Sequence, residues 1–202
     1  MLITAIEERK KGLSALFIDG EYALSIDTVT LVSYGKKTGS EISDEELHNL
    51  IEQSNINRAK EKALYLIEYR TRTRKEIEDK LIPLYGENAT EAAIERLEQL
   101  KLIDDESFAR EYAENLLIKK KFSVRRALFE LTKKGIDKEL AEEILEEMEP
   151  DPVEQIVSVI EKKYARNLND EKGRNRAVNG LRAMGYKWED IKDALSQFDE
   201  WE

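Results

Sequence analysis

The sequence of 202 residues contains no cysteine, one histidine (His48), three prolines and nine glycines. Without cysteine the chain can form neither a disulfide nor a thiolate metal site, which is compatible with a reducing cytosol. No apolar run approaches the roughly 18 residues that cross a membrane, and the apolar start Met1–Ile6 leads directly into charged residues. We therefore expect a cytoplasmic protein without a signal core or a membrane span.

The scarcity of histidine also limits catalysis. Glu45 precedes His48 by three residues, which matches half of a di-iron helix motif, but the second half needs another histidine. A solvent-facing His48 is the better interpretation, and no serine–histidine–acid triad can be built around it. Glycine-rich phosphate loops of both common types are absent. We predict that the chain is not an enzyme and has no catalytic residue, no metal site and no cofactor.

Acidic residues outnumber basic ones by 43 to 33, which gives a formal net charge of −10. Hydrophobic residues make up 41% and charged residues 38%, a composition typical of a helix-rich globular chain. Since phosphate neutralisation supplies most of the affinity for nucleic acid, an acidic chain repels DNA at long range. A protein is therefore the first partner to expect, although a local basic face could still contact DNA.

The first 42 residues differ from the rest because apolar residues alternate with period two, as they do in half-buried strands. Asp19 and Gly20 lie between two of these runs and form a two-residue hairpin signal. Asp27–Tyr34 could form a short helix before Gly35. The alternating residues are Ile3 and Ala5, then Leu13, Ala15 and Phe17, then Tyr22, Leu24 and Ile26. We predict a small N-terminal β module over residues 1–42.

From Ser43 onward the sequence is helical. Ser43 and Glu46 have the spacing of a capping box, and the helix that they start either continues or breaks near Ser54 and Asn55. Polar residues that can accept from free backbone N–H groups also precede the later apolar stretches. These predicted helix starts are Thr73, Asn88, Asp104 with Asp105, Ser123, Asp137 and Asp151.

Three glycines predicted to end helices, Gly86, Gly135 and Gly185, are 49 and 50 residues apart. An apolar pair with a spacing of four residues precedes each glycine, and successive pairs are 50 residues apart: Ile77 and Leu81, Ala127 and Leu131, Ala177 and Leu181. A period of about 50 residues with three helices in each unit indicates a tandem repeat. We therefore predict a mainly α fold in which three-helix repeats form an elongated curved array. The repeats cover residues 43–103 (with a lead-in helix), 104–149 and 150–202.

Basic residues recur at the junction between the first and second helix of each repeat. Their recurrence would place them along one edge of a stacked array, where they meet acidic protein surface or phosphate. Ordinary solvent-exposed helix ends are the alternative interpretation. The candidates are Arg70, Arg72, Arg74 and Lys75, then Lys119, Lys120, Lys121, Arg125 and Arg126, and then Lys172, Arg174 and Arg176. All but Lys75 and the last three are our predicted partner-binding residues.

Three segments, Leu102–Tyr112, Ala63–Leu81 and Arg125–Ile136, resemble the RecX family of bacterial RecA regulators. Phe17–Leu24 is similar to the leader of some Gram-positive members. The likeness covers about residues 57–198. Lys101 stands where a glycine is usual, Phe122 and Ser123 replace a glycine-containing turn, and the third repeat keeps Gly185 but little else of the motif.

The resemblance implies a non-enzymatic protein that binds the RecA filament on DNA and inhibits its recombinase, ATPase and coprotease activities. Our first hypothesis adds weak DNA contact along the basic edge, and we expect a monomer. A second hypothesis is a helix-turn-helix-like DNA-binding regulator, because three-helix units resemble such modules. A third, a metal-dependent hydrolase that uses surface carboxylates, has less support because the carboxylates have the spacing of solvated helix faces.

Overall fold

The computed structural model describes residues 1–168 and 170–198, and two compact units, Met1–Asp104 and Asp105–Glu202, divide the chain. Strands occupy only the beginning of the described chain, and helices form most of the rest, as the mainly α prediction requires. The strands are β1 (Ile3–Glu8), β2 (Leu13–Ile18) and β3 (Glu21–Asp27). The helices are α1 (Thr28–Ser33), α2 (Asp44–Tyr69), α3 (Arg74–Tyr85), α4 (Glu87–Gln99), α5 (Asp105–Glu114), α6 (Val124–Lys133), α7 (Lys138–Met148), α8 (Pro152–Lys163), α9 (Glu171–Ala183) and α10 (Trp188–Ser196).

The three strands form one antiparallel sheet in the order β1-β2-β3, which confirms the predicted β module. Asp19 and Gly20 turn β2 into β3 with positive φ angles of 50° and 90°. The inward face differs from the predicted one, however, because Leu16 and Ile18 of β2 pack in the core instead of Leu13 and Phe17. Leu13–Ile18 is apolar at nearly every position, so its period could not identify the buried face.

Helix α2 continues without a break through Ser54, which resolves the open choice at that residue. Ser43 and Glu46 form the predicted capping box, with reciprocal hydrogen bonds of 3.1 and 3.0 Å. The buried Ser54 hydroxyl accepts a hydrogen bond of 2.9 Å from the backbone N–H of Asp27, so the break-prone residue ties α2 to the end of β3. The C-terminal half of α2 packs with α3 and α4 through Ala59, Ala63, Ile77, Leu81, Ala93, Ile94 and Leu97.

The second unit contains two of the three-helix groups, α5–α7 and α8–α10. A π-helical turn, Asn115–Lys119, follows α5, and a 3₁₀ turn, Ala165–Asn167, follows α8. The predicted caps at Ser123, Asp137 and Asp151 are confirmed by side-chain bonds to backbone N–H groups. Asn88 is wrong as a cap, because α4 begins at Glu87, directly after Gly86. All six residues of the apolar pairs at Ile77, Ala127 and Ala177 are fully buried.

Two lysines that follow helical segments have positive φ. Lys101 (φ 55°) follows α4, and the N–H of Leu102 donates to the Leu97 carbonyl at 2.9 Å. Lys121 (φ 56°) follows the π-helical turn and precedes Phe122. Both lysines thus adopt the left-handed conformation that glycine adopts most easily, at or beside the positions where the sequence departs from the RecX pattern.

Within the described residues, no helix has the length and apolar character needed to cross a bilayer.

Candidate binding surface

The predicted basic residues of the first unit are largely paired with carboxylates. Arg70 donates two bonds to Glu76, of 2.8 and 3.1 Å, and these bonds raise the pKa of the Arg70 guanidinium. Arg72 donates from Nε to the Leu66 carbonyl at 3.0 Å. Lys75 lies 2.8 Å from Asp79. The Arg70 and Arg72 contacts lie at the α2–α3 junction, whereas the Lys75 pair lies within α3.

Arg74 is the most heavily paired cation in the first unit. Its guanidinium contacts Glu78 at 3.0 Å, Glu98 at 2.8 Å and also Glu91. Burial lowers the pKa of Arg74, but the hydrogen bonds to Glu98 and Glu91 outweigh it, so the net pKa is raised. Because three carboxylates surround one guanidinium, Arg74 presents little positive potential to a partner. Its geometry is that of a structural residue.

The corresponding cations of the second unit are mostly unpaired. Lys119, Lys120 and Arg125 are exposed and form no ion pair with any described residue. The ammonium of Lys120 lies 5.8 Å from the ring centroids of both Tyr112 and Phe122. Lys121 contributes its backbone carbonyl to the interior of the unit. A lysine over aromatic rings keeps its charge available to an anion while its stem covers apolar surface.

Arg126 lies between these two patterns. It pairs with Glu130, and its guanidinium carbon lies 5.3 Å from the Phe129 ring centroid and 5.8 Å from that of Phe122. Its Nε atom is buried and has no hydrogen-bond partner among the described residues. Arg126 therefore combines a structural ion pair with unused donor capacity.

A pocket of about 320 Å³ brings Arg125 and Arg126 together with residues of the third helix group. Arg182 of α9 lines this pocket, and its guanidinium lies 5.4 Å from the ring centroid of Trp188. Phe129, which also lines it, is 55% exposed, and Trp188 is 47% exposed. We call the residues Arg125, Arg126, Phe129, Arg182 and Trp188 the arginine–aromatic surface. Arginine and aromatic side chains are enriched at the centres of protein interfaces.

Sequence reasoning missed Phe129, Arg182 and Trp188 as surface residues. The buried residues of α6 are Ala127 and Leu131, and Phe129 is exposed. The helical spacing of Phe129 relative to this buried pair is the signal that could have identified it as an exposed aromatic residue. Arg182 lies near the C-terminal end of α9 and not at a junction between first and second helices. Arg182 lies beside Arg126 because of the way the α5–α7 group packs against the α8–α10 group, and this packing could not be predicted from the sequence.

A buried hydrogen-bond network fixes this packing within the second unit. The Tyr186 hydroxyl contacts the Lys121 carbonyl at 2.8 Å and the Gln155 Oε1 atom at 2.7 Å, and Gln155 Nε2 donates to the Leu117 carbonyl at 2.9 Å. Burial raises the pKa of Tyr186, so the hydroxyl remains protonated over the ordinary pH range. Tyr186 and Gln155 thereby anchor the Lys119–Lys121 segment to the third helix group.

Gly185 permits a close approach between the two helix groups. A Cβ at this position would lie 2.4 Å from the Ser123 Oγ atom and 2.7 Å from the Arg126 Cβ atom. The backbone N–H of Ser123 also donates to the Met184 carbonyl at 3.1 Å. The absence of a side chain at Gly185 is thus what allows Arg126 and Arg182 to share one surface.

The remaining candidates are not part of this arrangement. Arg174 donates from Nε to the Leu168 carbonyl at 3.1 Å, whereas Lys172 and Arg176 are exposed. His48 is exposed on α2 and lies 3.8 Å from Glu52, as expected for a solvent-facing side chain. In the described chain, no group of three or more histidine, aspartate or glutamate residues is placed to hold a metal ion.

The described helices form three-helix groups, as in helical-repeat proteins. The family model described as the first three-helix domain of RecX matches residues 59–97, and the model of the second three-helix domain matches residues 104–145. Regulatory protein RecX of Caldanaerobacter subterraneus subsp. tengcongensis is 32% identical over 97% of this chain and 99% of its own length. The chain belongs to the RecX family.

Other relatives agree with this assignment. Regulatory protein RecX of Bacillus subtilis is 29% identical and covers 98% of this chain and 77% of its own length. The crystal structure of RecX from Lactobacillus salivarius has a TM-score of 0.61 and 30% identity, over 72% of this chain and 97% of that chain. A second RecX crystal structure, with a TM-score of 0.65 and 22% identity, covers 95% of this chain and shows the same fold. A regulatory role follows from the family.

Proposed function

We propose that this chain is a non-enzymatic regulator that binds the RecA filament on DNA and inhibits its recombinase, ATPase and coprotease activities. Membership of the RecX family carries the proposal, because the relatives are named regulatory proteins. The unpaired cations of the second unit support it, because an acidic chain needs a local surface of this kind to engage an acidic or phosphate-bearing partner.

The contact residues that we propose come mainly from the second unit. Lys119, Lys120 and Arg125 keep their charges available, and Arg126 has an unused donor. Arg70 and Arg74 contribute less to recognition, since a partner would have to displace existing ion pairs. Arg182 joins the contact set because it shares a pocket with Arg125.

The test is RecA's single-strand-DNA-dependent ATPase in the presence of the purified chain. Inhibition is expected near stoichiometric concentration, and an unchanged ATPase rate would refute the proposal. A triple variant, Lys120→Gln, Arg125→Gln and Arg182→Gln, should need at least about tenfold more protein for the same inhibition, because the loss of even one charge-assisted contact of about 1.5–3 kcal/mol corresponds to a factor of about ten or more.

A matched control removes three cations that are paired with carboxylates: Lys75→Gln, Arg110→Gln and Lys138→Gln. Both triple variants change the net charge by the same amount. The control should inhibit RecA as well as the wild-type chain does. Equal losses in the two variants would show that net charge alone, and not the arginine–aromatic surface, controls inhibition.

The helix-turn-helix alternative has weaker support. A recognition helix needs base-reading donors at its N-terminus, yet the third helices begin with acidic first turns at Glu87, Glu139 and Glu189. These carboxylates would face phosphate at close range. A duplex titration with a clear sequence preference and a steep salt dependence would favour this alternative over RecA binding.

A further inference from the structure

We propose that a pocket in the first unit binds a nucleotide, through both its phosphate and its base. The pocket has a volume of about 520 Å³ and lies between the β1–β2 turn, α2 and the end of α3. Lys11, Arg58, Lys62, Tyr65 and Tyr85 are the lining residues that carry the argument, and we call this site the Arg58 pocket. Its volume is within the range of small-molecule sites.

Arg58 is the central observation. It is half-buried, and its guanidinium carbon lies 5.4 Å from the ring centroid of Tyr85. None of its N–H donors has an acceptor among the described residues, and no described carboxylate pairs with it. The Arg58 nitrogen atoms are not among the buried atoms that lack a partner, so water solvates them, and a bound phosphate would replace that water with a forked pair of hydrogen bonds.

Two further cations line the same pocket without an ion pair to any described residue. Lys11 lies at the β1–β2 turn and has a positive φ of 63°. Lys62 is one turn after Arg58 on α2, and its ammonium lies 5.0 Å from the Tyr65 ring centroid. This differs from Arg70, Arg74 and Lys75 in the same unit, all of which pair with carboxylates.

The two carboxylates that also line the pocket leave its charge positive. Asp27 accepts hydrogen bonds from the Thr30 backbone N–H, the Thr30 hydroxyl and Asn57, so its charge is already stabilised within the protein. Glu61 is exposed. The pocket is lined by three cations and two carboxylates, and one of these carboxylates already accepts hydrogen bonds from within the protein. This excess of positive charge favours an anionic ligand.

The tyrosines narrow the ligand class from any anion to a nucleotide. Tyr65 is 65% exposed beside Lys62, and Tyr85 lies against Arg58. Aromatic faces next to cations are how single-stranded nucleic acid and nucleotides are held, since every base can stack on a ring. The bound nucleotide can come from either of two sources: a free nucleotide, or one nucleotide within a single strand. The inference does not depend on RecA binding.

The experiment measures binding of two probes to the full chain: a fluorescent N-methylanthraniloyl ATP and a fluorescein-labelled oligo-dT. Arg58→Gln and Lys62→Gln should each weaken binding of the bound probe by about tenfold, the loss expected for one charge-assisted contact. Lys75→Gln is the matched control, since it removes one charge from the same unit outside the pocket and should change binding by less than about twofold.

Thermal unfolding checks that each variant is folded, and Lys11→Gln at the exposed turn replaces Arg58→Gln if the latter does not fold. Binding of the ATP analogue with these losses supports a free-nucleotide site. Binding of oligo-dT alone with the same losses supports a site for a strand. Binding of neither probe, or equal losses in the pocket and control variants, would overturn the proposal. RecA inhibition is measured separately, and its loss or retention leaves this result unchanged.

Discussion

The basic residues at the helix junctions of the two units lie in the same region of the sequence repeat but have different surroundings. In the first unit Arg74 contacts three glutamates, whereas in the second unit Arg125 contacts no described carboxylate. Lys120 and Arg126 of the second unit lie near aromatic rings, although Arg126 also pairs with Glu130. A repeated charge pattern therefore predicts a repeated location but not a repeated role, because the role depends on which acidic residues the neighbouring helices supply.

The glycines that end the second helices allow the strongest test of this difference. Gly185→Ala should lower the free energy of unfolding by about 2–5 kcal/mol, because positive-φ strain adds to a clash with Ser123 and Arg126. Gly86→Ala, with open space around its Cβ position but φ 81° and ψ 169°, should cost about 1–3 kcal/mol from backbone strain alone. Urea unfolding of both variants measures the difference, and equal losses would contradict the close approach at Gly185.

The buried polar contacts offer a second comparison. Tyr186→Phe should cost about 1–3 kcal/mol, because the Gln155 Oε1 atom and the Lys121 carbonyl lose a shared partner. Ser54→Ala in the first unit should cost a similar amount, because the Asp27 N–H loses its acceptor. We expect only Tyr186→Phe to weaken RecA inhibition as well, since only Tyr186 holds the Lys119–Lys121 segment. If Tyr186→Phe and Ser54→Ala inhibit RecA equally well, Tyr186 does not position the Lys119–Lys121 segment for binding.

Removal of single arginines tests the roles directly. Arg74→Gln should lower the free energy of unfolding by about 1–2 kcal/mol, because three glutamates lose their common partner. Arg125→Gln is exposed and unpaired and should change stability by less than about 0.5 kcal/mol. In the RecA ATPase assay, by contrast, Arg125→Gln should weaken inhibition more than Arg74→Gln does. Similar stability losses for the two variants would mean that the comparison between the units is wrong.

The two units should also differ in how stability depends on pH. Burial raises the pKa of Asp27, but hydrogen bonds from Thr30 and Asn57 outweigh it, so the folded pKa lies below the ordinary 3.8. The stability due to Asp27 is therefore present above about pH 4 and is lost as the pH falls through the lowered pKa. Burial raises the pKa of Tyr186 above the ordinary 10.0, so stability should decline as the pH rises beyond that value.

Measurements of the free energy of unfolding at acid and at alkaline pH check both declines in stability. Tyr186→Phe should remove the additional alkaline decline, and Asp27→Asn should reduce the acid decline. A wild-type pH profile that neither variant changes would show that other groups control both declines.

Much of the fold could be predicted because it depends on short-range signals. The caps at Ser43, Ser123 and Asp151 and the buried pairs at Ile77, Ala127 and Ala177 all follow from spacing along one helix. The inward face of β2 could not be predicted, because its apolar residues have no single period. Asn88 failed as a cap because Gly86 alone joins α3 to α4, which leaves no room for a loop.

The candidate surface was predictable only in part. Arg125 and Arg126 were found by their recurrence, but Arg182 and Trp188 join them through the packing of α6 against the end of α9. The ion pairs that occupy Arg74 come from Glu91 and Glu98 on another helix, so the sequence alone gave no reason to separate Arg74 from Arg125. The elongated curved array, the domain boundaries and the contact residues stay predictions.

Phe122 packs against both hydrophobic clusters of the second unit, the one formed by α5–α7 and the one formed by α8–α10. In many repeat proteins each repeat can open by itself, and amide hydrogen exchange then reports a different free energy for each repeat. A side chain shared by two cores couples their opening, and the Tyr186 network adds to that coupling. The slowest-exchanging amides near Leu131 and Leu181 should therefore exchange with one common free energy, as a single cooperative unit.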